Sequence, residues 1–176
     1  MSKNTGGGKM AEMYELVQDI QIAMLTTRPA DGRLVSRPMA TQKPQPDADL
    51  WFVTNRAAHK VEEIAADPQV NVAYYNSKTR EWVSLSGVAR VSQDRARIRQ
   101  LYQPDWKMWF GDEGGEMDGG PDDPRLALLL VNAESAVYAT ATTTRAGALV
   151  EMAKSFVKGE EPDLLRIEKL EGGSTA

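Results

Sequence analysis

The amino-acid sequence predicts a mainly β domain, an α+β fold in which an antiparallel β-barrel carries peripheral helices. Three observations favour this class. Short apolar and β-branched runs recur along the chain, turns join several of them, and strands do not alternate regularly with long helices. A chain of 176 residues is long enough to bury a sizeable core as one domain.

The N-terminal segment is predicted to be a disordered leader over residues 1–9, because it is polar and rich in glycine. An amphipathic helix over residues 10–21 follows, since its apolar residues recur at helical spacing. The domain proper is assigned to residues 10–158. Residues 159–176 are expected to form a loosely ordered tail, whose apolar spacing also allows a short helix.

A β-hairpin is predicted next. Residues 22–27 and 33–39 read as strands and flank Asp31-Gly32, a strong hairpin turn. Pro38 lies inside the second strand and cannot donate a ladder hydrogen bond. Its position therefore predicts an edge strand or a bulge.

The rest of the domain is predicted to contain a buried strand with a short helix, followed by four strands and two helices. Gly87, inside one strand, marks a bend or a close backbone approach. The predicted strands are residues 50–53, 69–75, 81–91, 126–132 and 135–142, and a short turn joins the last two. The short helix after the first of these strands ends at Asp67, and the other two helices cover residues 94–101 and 147–157.

Composition excludes several functional classes. The chain has no cysteine, one histidine and a formal net charge of −4. These counts exclude disulfides, thiolate metal sites and multi-histidine metal centres, and they argue against a nucleic-acid partner. No apolar run approaches the roughly 20 residues of a membrane span. We therefore expect a cytoplasmic protein with neither a membrane nor a nucleic acid as partner.

Residue types that bind phosphate follow the strand at residues 50–53. Thr54, Arg56 and Lys60 surround the predicted start of a helix, where the helix dipole and free N–H groups favour an anion. Arg37, in the hairpin, adds a planar fork that can bind phosphate in two parallel bonds. The pattern predicts a phosphate site, although an ordinary helix cap with a solvated lysine would have the same residues.

Two further features admit more than one interpretation. His59 is the only side chain with an ordinary pKa near neutrality; we favour a helix-start residue that aids phosphate binding over a proton donor. Residues 112–123 hold six carboxylates, a composition that favours a solvated, mobile loop over a calcium site. A further hypothesis makes this loop a lid beside Trp106 and Trp109.

In these motifs the chain resembles the pyridoxamine 5′-phosphate oxidase-like FMN-binding split-barrel superfamily and, within it, the general stress protein 26 group. The resemblance covers residues 10–142. It is carried by Ser36-Arg37-Pro38-Met39, by Phe52-Val53-Thr54-Asn55, by Ala58-His59-Lys60 with His59 in place of the usual arginine, and by the Trp106, Trp109 and Phe110 segment.

The resemblance implies a split antiparallel barrel that forms a homodimer with FMN, or alternatively FAD, at the interface. It implies that Arg37, Thr54 and Lys60 hold the phosphate. Trp82 would either stack on the flavin or pack in the core, and we favour the core. The implied cofactor-binding set is Arg37, Pro38, Met39, Val53, Thr54, His59, Lys60, Trp82 and Trp109.

Departures from the family pattern bear on activity. Gln42 stands where the oxidases carry a lysine that grips substrate phosphate, and Ala139 stands where the stress-protein group tends to carry a tryptophan. The leading expectation is a flavin-binding general stress protein without pyridoxamine phosphate oxidase activity and with no catalytic residue assigned. The alternatives are an oxidoreductase that uses a flavin or deazaflavin, and a dimeric interaction module that has lost flavin.

Overall fold

A computed structural model of the chain describes residues 5–159 and 161–171, and its centre is an antiparallel sheet. The strand order is β2-β1-β4-β5-β6-β3, and β7 also pairs with β6. The strands are β1 Ile22–Thr27, β2 Val35–Ala40, β3 Leu50–Asn55, β4 Gln69–Tyr75, β5 Trp82–Ser92, β6 Leu126–Ala141 and β7 Leu165–Glu171.

Helices and one 3-10 helix surround the sheet. They are α1 Thr5–Ile20, α2 His59–Ala66, α3 Arg95–Leu101, the 3-10 helix Pro104–Trp109 and α4 Arg145–Lys158. Among the described residues, none of these helices is long and apolar enough to cross a membrane.

The sheet curves into a split barrel, which confirms the predicted fold class, but it does not close. β2 and β3 stand at opposite ends of the strand order, and a hydrogen bond of 3.2 Å from the Gln42 N–H to the Trp51 carbonyl joins the segments there. The predicted edge position of Pro38 is confirmed, because β2 is a terminal strand of the sheet.

Two apolar clusters lie on opposite faces of β6. Leu129 and Val131 point into the main core, whereas Leu126, Leu128 and Leu130 point into a second cluster that includes Trp51 and Trp106. Both faces of this half of the strand are therefore buried. This explains why the sequence here is an unbroken apolar run instead of an alternating pattern.

The two strands predicted over residues 126–132 and 135–142 are one strand, so that prediction was wrong. The register across β5 and β6 shifts between Ser86 and Gly87, and Glu134 is the extra residue. A β-bulge thus absorbs a polar stretch that resembled a turn. A Cβ atom on Gly87 would lie 2.1 Å from the Asn132 carbonyl oxygen, which confirms the predicted close backbone approach.

Both ends of the described chain carry more structure than expected. Helix α1 begins at Thr5, so residues 5–9 of the predicted disordered leader are helical, while residues 1–4 lie outside the described part. Lys9 Nζ lies 2.6 Å from a Glu168 carboxylate oxygen of β7, which ties the two ends together. In the predicted tail, β7 forms in place of a helix because it pairs with the second half of β6; residues 160 and 172–176 are outside the described part.

Candidate functional site

The turn from β3 into α2 forms the floor of the candidate site. Strand β3 continues through Thr54 to Asn55, two residues beyond the predicted end. The Asn55 side-chain oxygen accepts a hydrogen bond of 2.9 Å from the Ala57 N–H. The N-cap residue Ala58 is extended and offers no side-chain cap. The start of α2 is therefore the kind of helix N-terminus at which an anion is favoured.

Lys60 lies over this turn. Its ammonium group donates a hydrogen bond of 3.1 Å to the Thr54 hydroxyl, which is itself buried. Burial lowers the pKa of Lys60, the positive charge of Arg37 lowers it further, and Glu63 acts in the opposite direction. The structure thus brings Arg37, Thr54 and Lys60 together, as the sequence predicts.

Arg37 reaches the same place from β2. Its Nη2 donates to a Glu63 carboxylate oxygen at 2.8 Å, and its Nη1 donates to the Thr27 hydroxyl. The Thr27 hydroxyl in turn donates to Glu63. Although burial raises the pKa of Glu63, the Thr27 hydrogen bond and the Arg37 charge outweigh it and hold that pKa below its ordinary value. We call these residues, Thr27, Arg37, Thr54, Lys60 and Glu63, the anion cluster.

Thr27 and Glu63 were missed by sequence reasoning, although each had a signal. Glu63 follows Lys60 by three positions and His59 by four, so α2 presents all three side chains on one face. Thr27 lies two residues beyond Leu25, the register partner of Arg37, and therefore shares a sheet face with Arg37. His59 is exposed at the first position of α2, and its electrostatic interaction with Glu63 also lowers the pKa of that carboxyl.

The other predicted site residues of β2 and β3 are Pro38, Met39 and Val53, and they lie in three different environments. The Met39 side chain is buried in the main core. Pro38 is exposed and paired in register with Met24. Val53 packs against the second apolar cluster. Pro38 and Val53 are the strand neighbours of Arg37 and Thr54 and therefore face the opposite way. The Met39 side chain is on the same sheet face as Arg37 but is buried in the core. Only the backbone of these three residues is therefore a candidate for contact with a ligand at the anion cluster.

Trp82 does not pack where we expected, and Trp109 lies on the surface. Trp82 is half-buried, in register with Tyr75 on one side and Ala139 on the other, and it belongs to neither of the two apolar clusters. The favoured core position was therefore wrong, since this residue faces the opposite side of the sheet from the core. Trp109 is 73% exposed on the 3-10 helix, whereas Trp106 is buried.

The acidic loop over residues 112–123 is largely exposed to solvent, as expected, and hydrogen bonds from Arg125 anchor it. The Arg125 guanidinium donates to the carbonyl oxygens of Phe110, Gly111 and Met117 at 2.9–3.1 Å. It also pairs at 2.7 Å with Asp123, whose side chain is fully buried. Within the described residues, no group of three or more histidine, aspartate or glutamate side chains is arranged to hold a metal ion.

A separate cavity of about 690 Å³ lies between α1, residues 44–49 and β6. The Tyr14 hydroxyl donates a hydrogen bond of 2.8 Å to Asp49 at its wall. None of its lining residues belongs to the anion cluster. A ligand held by the cluster would therefore occupy different space.

Comparison with known proteins relates this chain to one family. The sequence matches the family described as pyridoxamine 5′-phosphate oxidase like over residues 8–163. It is 33% identical to Protein bli-3 of Neurospora crassa over 165 residues, which cover 92% of this chain and 79% of that protein.

Two solved structures share the fold. A Jannaschia sp. CCS1 protein named for general stress protein 26 has a TM-score of 0.72 at 24% identity, with 94% of this chain and 99% of that chain covered. The general stress FMN/FAD binding protein of Xanthomonas citri has a TM-score of 0.58 at 24% identity, with 74% of this chain and 87% of that chain covered.

Proposed function

The chain belongs to the pyridoxamine 5′-phosphate oxidase-like family, and on that premise we propose that it is a flavin-binding general stress protein. Its cofactor is FMN, with FAD as the second candidate, as the name of the Xanthomonas citri protein suggests. The lack of cysteine supports the cytoplasm as its compartment.

The observation that carries this proposal is the convergence of Arg37, Thr54 and Lys60 at the uncapped start of α2. A guanidinium, an ammonium, a hydroxyl and helix N–H groups together match the oxygens of a phosphate monoester. These residues would hold the flavin phosphate, and the backbone of Pro38 and Met39 would meet the ring. When bound, the flavin supplies redox chemistry, and the protein supplies position and electrostatics.

Oxidation of pyridoxamine phosphate is not part of the proposed function. Gln42 replaces the lysine with which the oxidases grip substrate phosphate, and its side-chain oxygen accepts a hydrogen bond of 3.2 Å from the Trp106 indole. The side chain is therefore neutral and engaged in holding a buried tryptophan. A phosphate-bearing substrate would find no cation at this position.

We further propose a homodimer with the flavin at its interface. The face of the sheet opposite the main core carries large exposed apolar residues, among them Met24, Tyr75 and Ile167. Tyr75 and Ile167 are 62% and 60% exposed. Such a surface is typical of an interaction site, and a second copy of the chain would cover it.

Titration of the purified apoprotein with FMN, followed by flavin fluorescence, tests the proposed function. We expect saturable binding of about one flavin per chain. An added test with NAD(P)H would distinguish an oxidoreductase, which should reduce the bound flavin, from a protein that only binds it. Absence of saturable binding would contradict the proposal and favour the interaction-module alternative.

A further inference from the structure

Glu63 is the one acidic member of the anion cluster, and it sits at the centre of the contacts. Its carboxylate accepts from Arg37 at 2.8 Å and from the Thr27 hydroxyl, while Thr27 accepts from Arg37. The three side chains thus form a closed hydrogen-bonded ring. Only 19% of the Arg37 side chain and 13% of the Glu63 side chain are exposed, and Thr27 is fully buried.

The ring fixes the direction of the Arg37 guanidinium. A guanidinium has five N–H donors, and the ring uses one from each of Nη1 and Nη2. The group therefore keeps capacity for an additional acceptor while its plane is held. Arginine loses much side-chain entropy when it is ordered by a ligand alone, so this ordering before binding favours affinity.

The ring also reduces the charge of the site. Arg37 and Lys60 contribute two positive charges and the ionised Glu63 contributes one negative charge, so the cluster has a net charge of +1. The phosphate of a monoester carries close to two negative charges at neutral pH, since its second pKa is about 6. A phosphate bound by Arg37 would therefore be repelled by the Glu63 carboxylate, because Arg37 contacts Glu63 as well. The repulsion is significant because the pair is partly buried.

We propose that Glu63 is a positioning residue that orients Arg37 and sets the charge, and thereby the phosphate affinity, of the flavin site. This inference rests on the proposed function. Its consequence is that the carboxylate limits the affinity for FMN, whose phosphate it repels, and leaves riboflavin, which has no phosphate, unaffected.

Glu63→Gln is the decisive variant. The amide oxygen can still accept from Arg37 and Thr27, so the ring is kept while its negative charge is lost. We expect FMN to bind about tenfold more tightly, which corresponds to about 1.4 kcal/mol, and riboflavin to change less than about twofold. Glu62→Gln is the matched control, because Glu62 is the exposed neighbour on the same helix, and we expect it to leave both affinities within about twofold.

Glu63→Asp separates charge from orientation. The shorter aspartate side chain keeps the negative charge but places it farther from Arg37. FMN should therefore bind no more tightly to this variant than to the wild type. Equal FMN affinities for Glu63→Gln and Glu62→Gln, weaker FMN binding by Glu63→Gln, or equal tightening of riboflavin would each overturn the inference. Circular dichroism of every variant verifies that the chain is folded.

The proposed function and this inference fail in different ways. If the wild type binds no flavin, the proposed function is wrong, and the role of Glu63 is then decided by inorganic phosphate. Phosphate should raise the melting temperature of Glu63→Gln more than that of the wild type. No difference in that comparison would overturn the role of Glu63 as well.

Discussion

Arg37 and Lys60 supply the positive charge of the anion cluster, so their removal should weaken FMN selectively. We expect Arg37→Ala and Lys60→Ala each to cost about 1.5 to 3 kcal/mol of FMN binding, the range for hydrogen bonds to charged groups. Arg56→Ala is the control, because Arg56 is exposed and engages Arg125 through its backbone N–H. Fluorescence titration measures all three. Arg56 lies outside the anion cluster, so equal losses of FMN affinity in Arg37→Ala and Arg56→Ala would contradict this prediction.

At the scale of single residues, the sequence predicts the two cations of the site and Thr54, but not the partners of Arg37. Arg37, Thr54 and Lys60 could be predicted because residue types that bind phosphate follow recognisable β segments. The hydrogen bond from Arg37 to Glu63 depends on how α2 packs against the hairpin formed by β1 and β2. That packing is a tertiary property, and local spacing alone does not encode it.

At the scale of secondary-structure elements, the loop anchored by Arg125 and Asp123 should be sensitive to acid. The Arg125 hydrogen bond lowers the pKa of Asp123 from its ordinary 3.8 to about 2. A carboxyl with a lowered pKa contributes stability above its unfolded pKa, and that contribution is lost as pH falls from about 4 to 2. The folded protein should therefore lose about 2 kcal/mol from this group over that range.

Asp123→Asn tests this contribution by urea unfolding. We expect a loss of about 2 to 4 kcal/mol at pH 7, because the buried Arg125 contact loses its charged partner, and a flatter dependence of stability on pH between 4 and 2. The adjacent Asp122→Asn is the control, since Asp122 forms an exposed ion pair with Arg99, of a kind that contributes about 0 to 1 kcal/mol. Equal effects of the two changes would contradict a special role for Asp123.

Element boundaries were predictable where periodicity was regular and not where tertiary pairing decided them. Strand β4 occupies the predicted residues 69–75. The sequence predicts a turn at residues 133–134, yet pairing across the sheet from β5 accommodates Glu134 as a bulge. Likewise, β7 is a strand because β6 offers it an edge, and the local sequence equally allowed a helix.

At the scale of the whole molecule, the exposed apolar face of the sheet should form the dimer interface. Met24→Glu places a charge on this face, so it should convert a dimer into monomers and weaken FMN if the flavin lies at the interface. Met108→Glu is the control, because Met108 is also exposed but lies on the 3-10 helix. Analytical ultracentrifugation measures the oligomeric state of the wild type and of both variants. A wild-type monomer, or a Met24→Glu dimer, would contradict the interface.

The ratio of the riboflavin and FMN dissociation constants of the wild-type protein is the most direct test of the central claim. The two ligands share the ring and differ in the phosphate, so the ratio isolates what the anion cluster contributes. Two charge-assisted contacts of about 1.5 kcal/mol or more predict a ratio of about 100 or higher. A ratio near one would mean that Arg37 and Lys60 do not bind the flavin phosphate.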